Sequence, residues 1–190
     1  NLMENVERVR AVRKALVDNV ELLVDANQRW DVATHLKIGR RLEEFDLFWY
    51  EEPVLADNIA QCAQVARALN IPIATGENEY TRYGFRDLIE QQAAHYLNPD
   101  IHRCGGIGEL VKIAHLAAAY DLPIAPHLVP ELSIHVLVSI PNAALVEVLA
   151  GAPAELWREP PEIKNGMMAP PNCPGHGMEF SADALKRFTE

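Results

Sequence analysis

LLVDAN at residues 22–27 is an apolar run that ends abruptly in a carboxylate, and this stretch decides the fold. The same pattern returns as FWYE at residues 48–51 and as IATGE at residues 73–77. The acids that close these runs follow one another at intervals of 26 residues: Asp25, Glu51 and Glu77. A buried strand takes about 5 residues and a helix with its connections about 20, so this interval predicts one strand and one helix per acid.

The three acids are expected to meet at one edge of a sheet. Parallel strands joined by right-handed crossovers all end on the same side. Mg²⁺ prefers oxygen ligands in an octahedron and keeps open positions for water or substrate. A ligand set without Cys or His disfavours zinc. A single acid at a strand end is more often a helix N-cap, but three at equal spacing predict a Mg²⁺ site at Asp25, Glu51 and Glu77.

Apolar runs and helical patterns alternate along most of the chain. The predicted strands cover residues 20–24, 47–50, 71–75, 95–97, 123–125 and 144–148. This alternation indicates a parallel α/β fold, and functional residues at strand ends favour a partial TIM-type (β/α) barrel. An open doubly wound sheet is the alternative, but it would carry a glycine-rich loop where this chain has DANQ. A whole barrel takes about 250 residues, so a smaller chain is expected to supply only part of one.

The composition changes near residue 150. We interpret residues 1–150 as the C-terminal part of the barrel domain. Residues 151–190 are rich in proline, which predicts an extended tail that ends in a short helix near residues 182–188. This tail is expected to pack on the barrel or on a capping domain. The chain opens on a helix without a strand before it, and Asn1 is an unusual initiator, so we expect a portion of a longer protein.

Charge and composition exclude several classes of partner. A net charge of −10 argues against nucleic acid, which needs a basic face. No apolar run approaches the roughly 18 residues of a membrane span, and the first residues lack the features of a signal peptide. The 3 cysteines are odd in number and lack metal-type spacing, which favours free thiols in the cytoplasm.

A carboxylate and an imidazole follow at the next two strand ends. Asp100 lies 23 residues after Glu77, and His127 lies 27 residues after Asp100. A neighbouring carboxylate fixes the tautomer of an imidazole and favours its protonated form. Asp100 and His127 are therefore predicted to act as a general acid/base pair on one side of a metal-bound substrate.

Two further residues are weaker candidates. Glu147 closes the last predicted strand and, if protonated, would hydrogen-bond a substrate carboxylate. A plain structural role is the alternative for this acid. Arg82, in the loop at residues 78–83, would meet a distal carboxylate or hydroxyl of a substrate, or would simply be solvated.

Together these motifs resemble the mandelate racemase subgroup of the enolase superfamily, the mandelate racemase/muconate lactonizing enzyme-like proteins. The motifs that carry the resemblance are VDAN (24–27), YEEP (50–53), TGE (75–77), PD (99–100), GG (105–106) and APH (125–127). The resemblance implies a (β/α)₇β barrel beneath an N-terminal capping domain. It also implies that the capping domain and the first strands lie outside this chain. Of the doubled acids, Glu51 and not Glu52 matches the ligand position.

The resemblance also implies roles for the residues already singled out. The three strand-end acids would be the Mg²⁺ ligands, and His127 with Asp100 would be the catalytic pair. Glu147 matches the acid that hydrogen-bonds the intermediate, and Asn27 matches a position near the metal and the substrate. Members of the family associate as dimers to octamers of identical subunits.

The implied reaction is abstraction of the proton α to a carboxylate through an enediolate, with Mg²⁺ stabilising the developing charge. An acid-sugar dehydratase is the preferred activity, and a racemase or epimerase of a 2-hydroxy acid is the alternative. The family places a Lys-x-Lys base on a strand before the opening helix, outside this sequence. A third hypothesis is therefore an inactive half-barrel that only binds metal or a partner chain.

Overall fold

The computed structural model describes residues 2–17, 20–149 and 154–189. Its helices and strands run in the order α1 (Leu2–Ala15), β1 (Leu23–Asp25), α2 (Val32–Leu42), β2 (Trp49–Glu51), α3 (Ile59–Ala68), β3 (Ile73–Thr75), α4 (Thr81–Glu90), β4 (Tyr96–Leu97), α5 (Ile107–Ala118), α6 (Pro130–Leu137), β5 (Ile163–Lys164), β6 (Met167–Met168) and α7 (Ala182–Phe188). Single 3₁₀ turns follow α2 at Glu43–Phe45 and precede β5 at Ala154–Leu156.

Strands β1 to β4 form one parallel sheet in sequence order. A helix follows each strand and carries the chain back to start the next one, as the sequence pattern predicts. The predicted parallel α/β fold is confirmed. Parallel bridges extend the sheet from Leu97 to Ile124, and from Ile124 to Ala143.

The sheet ends earlier than the sequence predicts. The expected strand at residues 123–125 is reduced to a bridge at Ile124, and residues 144–149 form no strand. The backbone of Ile124 donates to Asn142 and accepts from Ala144, both at 2.8 Å. In a parallel ladder the next donor would be residue 126, which is a proline without an N–H. Pro126 therefore stops the pairing with residues 142–144, and the prediction of a strand at residues 144–148 was wrong.

The main core lies between the sheet and its helices. Tyr50, Ile73, Leu97 and Ile124 point to the helical side and are fully buried or nearly so. A smaller cluster of Trp49, Ala74 and Ala125, with Phe48 and Tyr96 packed against it, covers the other face. These side chains belong to the strands and their ends, and they bury part of the face opposite the helices.

Helix α2 has a side-chain cap at its N-terminus. The carboxylate of Asp31 accepts a hydrogen bond from the backbone N–H of Thr34 at 2.8 Å. This bond satisfies one of the N–H groups that the first turn of a helix leaves free. The helix then places Ile38 and Leu42 in the core.

The chain beyond residue 153 contains only short elements, as its prolines predict. Strands β5 and β6 form a two-residue antiparallel hairpin. Trp157 bridges to Phe180, and their rings stack at 5.0 Å between centroids. Helix α7 begins at its N-cap Ser181, and its position agrees with the predicted terminal helix. The division into a barrel part and a tail at residue 150 stays a prediction. No helix in the described ranges is both long and apolar enough to cross a membrane.

His35 on α2 is completely buried, although it carries a titratable ring. Its Nδ1 and the hydroxyl of Tyr50 form a hydrogen bond of 2.6 Å. Its Nε2 has no hydrogen-bond partner among the described residues. Burial disfavours the charged ring and lowers the pKa of His35 to about 4.

This buried imidazole predicts a loss of stability in mild acid. In the unfolded chain the pKa of His35 returns to roughly 6.5, so the unfolded state binds more protons between pH 6.5 and 4. The neutral His35 ring therefore contributes to the free energy of unfolding above pH 6.5. This contribution alone is expected to fall by about 3 kcal/mol as the pH drops to 4. Urea unfolding at a series of pH values measures the slope.

The variant His35→Gln removes the titrating ring and is expected to have a shallower dependence of stability on pH than the wild type. His115→Gln, at an exposed position on α5, is the matched control and should keep the wild-type slope. Equal slopes for wild type and His35→Gln would contradict the prediction.

Candidate active site

The three predicted ligand residues lie at the carboxyl ends of neighbouring strands. Asp25 closes β1 and is the register partner of Glu51, which closes β2. Neighbouring strands are about 4.8 Å apart, so these two acids start side by side. Glu77 follows β3 by two residues and is 7% exposed. The fold thus gathers the three acids at one edge, as their spacing predicts.

Gly76 allows Glu77 to reach this edge. Its backbone has a φ of 129°, which side-chain-bearing residues rarely adopt. A Cβ at this position would also lie 2.8 Å from Cε1 of Phe85 on α4. Both the backbone conformation and the close packing therefore require glycine between β3 and Glu77.

Negative charge accumulates around Glu51. Burial first, and then the charge of Asp25, raise the pKa of Glu51 to about 7, and the charges of Glu147 and Glu77 add more weakly. A hydrogen bond from Nε1 of Trp49 acts in the opposite direction. A divalent cation would neutralise this excess charge, and a set of carboxylate oxygens matches the preference of Mg²⁺. The residues present therefore fit the predicted ion.

Each of the three carboxylates is engaged by a neighbouring donor. Oδ1 of Asp25 accepts from the backbone of Asn27 at 2.7 Å, and Oε1 of Glu77 lies 3.5 Å from Nη1 of Arg103. Within the described residues, no three His, Cys, Asp or Glu side chains converge as a metal-binding group. The ligand assignment stays a prediction.

The predicted acid/base pair is in direct contact. Nδ1 of His127 and Oδ2 of Asp100 are 2.8 Å apart. Oδ1 of Asp100 accepts from the backbones of His102 and Arg103 at 2.7 and 3.2 Å. Burial raises the pKa of Asp100, but these hydrogen bonds outweigh burial, and the pKa is lowered. Asp100 is thus an ionised acceptor, so Nδ1 of His127 carries a proton and Nε2 is left for chemistry.

The pair also adjoins the acids. Nε2 of His127 lies 3.4 Å from Oε2 of Glu77. The side chain of His127 is 14% exposed, so it is mostly shielded from water. An imidazole paired with a carboxylate and a group of acids therefore occupy one edge, and the role of His127 and Asp100 as a general acid/base stays a prediction.

Glu147 reaches the same region from outside any strand. Its Oε2 accepts from the backbone N–H of Leu128 at 2.7 Å, directly after His127. Glu147 and Glu51 line a cavity of about 220 Å³, together with Trp49 and Asn98. The structure therefore brings Glu147 to the acids, although the strand expected to carry it is missing.

The two candidate substrate-binding residues, Asn27 and Arg82, differ in their placement. Asn27 has a left-handed backbone with a φ of 44° and lies against Asp25. Nη1 of Arg82 contacts both carboxylate oxygens of Glu109 at 2.9 and 3.0 Å, and Nη2 contacts the hydroxyl of Tyr83. The guanidinium of Arg82 thus joins α4 to α5, and the structure does not bring it to the other candidates. A substrate-binding role for either residue stays a prediction.

Sequence reasoning overlooked three residues that contact the acids. One is Asn78, whose Nδ2 lies 3.3 Å from Oε1 of the adjacent Glu77. Trp49 donates to Glu51 at 2.9 Å from two positions earlier in β2. Strand alternation puts residues i and i+2 on one face, so this contact was predictable. Arg103 contacts the backbone oxygen of Glu77 at 3.2 Å from the loop after β4. No local pattern indicated that contact, because it joins two loops 26 residues apart.

The requirement for glycine at residue 76 is testable. Gly76→Ala is expected to destabilise the protein by about 1–3 kcal/mol or more, because it adds backbone strain and a clash with Phe85. The same change at Gly108, which lies in α5 with open space around its Cα, is the matched control. Gly108→Ala should stabilise by up to about 1 kcal/mol. Urea unfolding measures both, and a Gly76→Ala variant as stable as wild type would contradict this requirement.

Comparison with known proteins connects this geometry to a family. Residues 1–184 match the family model described as enolase C-terminal domain-like. The L-talarate/galactarate dehydratase of Salmonella typhimurium is 38% identical over 190 residues, which are 100% of this chain and 47% of that protein.

Solved structures show the same similarity. The L-talarate dehydratase of Polaromonas sp. JS666, complexed with Mg and L-glucarate, superposes with a TM-score of 0.91 at 40% identity, over 98% of this chain and 52% of that one. A racemase from Streptomyces coelicolor A3(2) with bound magnesium superposes with a TM-score of 0.92 at 34% identity, over 98% of this chain and 52% of that one. The chain thus spans about half the length of the proteins it matches.

Proposed function

Because this chain belongs to the enolase C-terminal domain-like family of the enolase superfamily, we propose that it carries the metal-binding and acid–base half of a Mg²⁺-dependent enzyme acting on a carboxylate substrate. The match over residues 1–184 confirms the resemblance drawn from the sequence motifs. The fold is accordingly part of a TIM-type barrel, with its candidate site at the carboxyl ends of the strands.

One observation carries the proposal. The contacting pair of His127 and Asp100 stands 3.4 Å from Glu77, at the edge where the strand-end acids meet. An enzyme that removes a proton next to a carboxylate needs a base and positive charge within reach of the same substrate. Bound at this edge, Mg²⁺ would supply that positive charge and stabilise the charge developing on the substrate carboxylate.

The residues of this chain divide the remaining work. Asp25, Glu51 and Glu77 would hold the ion. Asp100 holds the proton on Nδ1 of His127, so that Nε2 is the atom that accepts or returns a proton.

Glu147 is proposed to hydrogen-bond the substrate carboxylate. Its contact with the backbone of Leu128 links its position to the loop that follows His127.

Dehydration of an acid sugar is the preferred activity. The dehydratases of Salmonella and Polaromonas match 100% and 98% of this chain at 38% and 40% identity. In such a reaction His127 would protonate the departing 3-hydroxyl. Racemisation of a 2-hydroxy acid is the second candidate, supported by the similarity to the Streptomyces racemase. His127 would then exchange the α-proton on one face of the carbon.

A cytoplasmic location and assembly from identical subunits are part of the proposal. Cys62, Cys104 and Cys173 are all free thiols, which is typical of a reducing compartment. Association into dimers to octamers follows from the family resemblance alone.

NMR in D₂O separates the two reactions. The full-length protein with Mg²⁺ is incubated with a panel of acid sugars and 2-hydroxy acids. A 2-keto-3-deoxy product is expected if the enzyme is a dehydratase, and α-deuteration with inversion if it is a racemase. A folded protein that binds Mg²⁺ and does neither across the panel would contradict the proposal.

The metal assignment predicts the effect of one substitution. Asp25→Asn removes a negative charge from the ligand set, so turnover is expected to fall by at least about 10²-fold and Mg²⁺ affinity to weaken. Asp121→Asn is the matched control. Asp121 is exposed and precedes the bridge residue Ile124, so it lies at the opposite edge of the sheet from Asp25. Kinetics and calorimetric Mg²⁺ titration measure both variants. Wild-type turnover by Asp25→Asn would refute the ligand assignment.

A further inference from the structure

A buried acid with no role in the proposed reaction lies directly behind the candidate site. Glu52 follows the proposed ligand Glu51 and is only 1% exposed. Its backbone is left-handed, with a φ of 41°. Burying a carboxylate and adopting this conformation are both costly, so compensating contacts are expected.

Those contacts are two side-chain amides from neighbouring loops. Oε1 of Glu52 accepts from Nδ2 of Asn78 at 2.9 Å, and Oε2 accepts from Nε2 of Gln28 at 2.9 Å. The backbone N–H of Gln28 also donates to the backbone oxygen of Glu52 at 2.9 Å. Glu52 thus joins the loop after β1 to the loop after β3.

Other partners fix the orientation of both amides. Oε1 of Gln28 accepts from the backbone of Ala56 at 2.9 Å, and Oδ1 of Asn78 accepts from Nη1 of Arg103 at 2.9 Å. Flipping either amide would turn its NH₂ group toward another donor. Both NH₂ groups therefore face residue 52, which must offer an acceptor in two directions. The NH₂ group of Asn78 also contacts Oε1 of Glu77 at 3.3 Å.

Each member of this group adjoins one proposed metal ligand in the sequence. Gln28 comes three residues after Asp25, Glu52 directly after Glu51, and Asn78 directly after Glu77. The three ligand-bearing loops are therefore tied together behind the acids.

We propose that Glu52 is a positioning residue, which holds the three ligand-bearing loops at the spacing that Mg²⁺ requires. The inference rests on the proposed function, because it takes the strand-end acids as the ligands. Those acids repel one another, and repulsion would separate loops that nothing joined. Hydrogen bonds behind the ligands restrain this separation, and such contacts tune metal affinity.

The geometry predicts which substitutions break the hydrogen bonds among Gln28, Glu52 and Asn78, and which substitutions restore them. Glu52→Gln puts an NH₂ group against one of the two fixed amides, so one contact becomes donor against donor. Asn78→Asp turns a second acceptor toward Glu52. Combining E52Q with N78D restores complementarity at position 52, because the carboxylate introduced at position 78 accepts from the amide introduced at position 52 and from Arg103. It does not restore the hydrogen bond from Asn78 to Glu77. The oxygen of that introduced amide still accepts from Gln28, and the double variant keeps the net charge.

The test measures Mn²⁺ affinity by electron paramagnetic resonance on the full-length protein after metal removal. E52Q and N78D are each expected to weaken binding by about 10–100-fold. The E52Q/Q28E variant leaves Asn78 and its contact with Glu77 in place, and it is expected to bind within about 3-fold of wild type. The E52Q/N78D variant repairs only the contact with residue 52, so it is expected to bind more tightly than N78D and more weakly than E52Q/Q28E. Circular dichroism verifies folding, and the two double variants decide the question if E52Q alone is unfolded.

Glu43→Gln is the matched control. Oε1 of Glu43 also accepts from an asparagine, from the backbone and Nδ2 of Asn70 at 2.8 and 3.2 Å. That contact lies before β2 and β3, at the opposite edge of the sheet. E43Q should keep the wild-type affinity for Mn²⁺.

The outcomes separate this inference from the proposed function. Wild-type Mn²⁺ affinity in folded E52Q, with binding lost in D25N, would overturn the role of Glu52 and leave the proposed function standing. The same holds if E52Q lowers only the melting temperature of the metal-free protein. An E52Q/Q28E variant that binds more than 10-fold more weakly than wild type would also overturn it. A wild-type protein that binds no Mn²⁺ would overturn both.

Discussion

Parallel pairing of β1 with β2 places Asp25 directly beside Glu51, and much of the structure depends on this adjacency of like charges. Burial and the charge of Asp25 together raise the pKa of Glu51 to about 7, so the edge carries electrostatic strain. Chains usually avoid such concentrations, because burying unpaired charge is costly. Perturbed carboxylates in a cleft are typical of functional sites, where a ligand or an ion supplies the missing charge.

The surrounding elements restrain this charge in two ways. Next to Glu51, the carboxylate of Glu52 accepts hydrogen bonds from the side-chain amides of Gln28 and Asn78. These bonds join the loops that follow β1, β2 and β3. At the next strand end, Asp100 is satisfied by two backbone N–H groups and by His127. Both arrangements give a buried carboxylate a full set of donors, which makes it a rigid anchor. A site built on such anchors is preorganised before any substrate arrives.

Long-range packing decides the contacts of polar side chains, and sequence reasoning was weakest there. The loop predicted at residues 78–83 ends at Tyr80, and Arg82 lies on α4. Arg82 looks available for a substrate in the sequence, but the packing of α4 on α5 brings Glu109 to its guanidinium. The sequence motifs match Glu51 to a ligand position, but they do not show what surrounds Glu52. The structure places Glu51 beside Trp49 and buries Glu52 between two amides. Glu109 lies 27 residues from Arg82, and the two amides lie 24 and 26 residues from Glu52, so no local pattern reveals these contacts.

The sequence by itself determined the order of strands and helices, the parallel class of the fold, and which acids close the strands. These features depend on local hydrophobic periodicity and on the regular interval of 26 residues, both of which are visible in the chain. Only the tertiary structure decided where the sheet stops, at Pro126, and how Glu147 reaches the acids without a strand. The physical reason is that hydrogen-bond donors and charged partners are supplied by segments distant in sequence, and only folding brings them together.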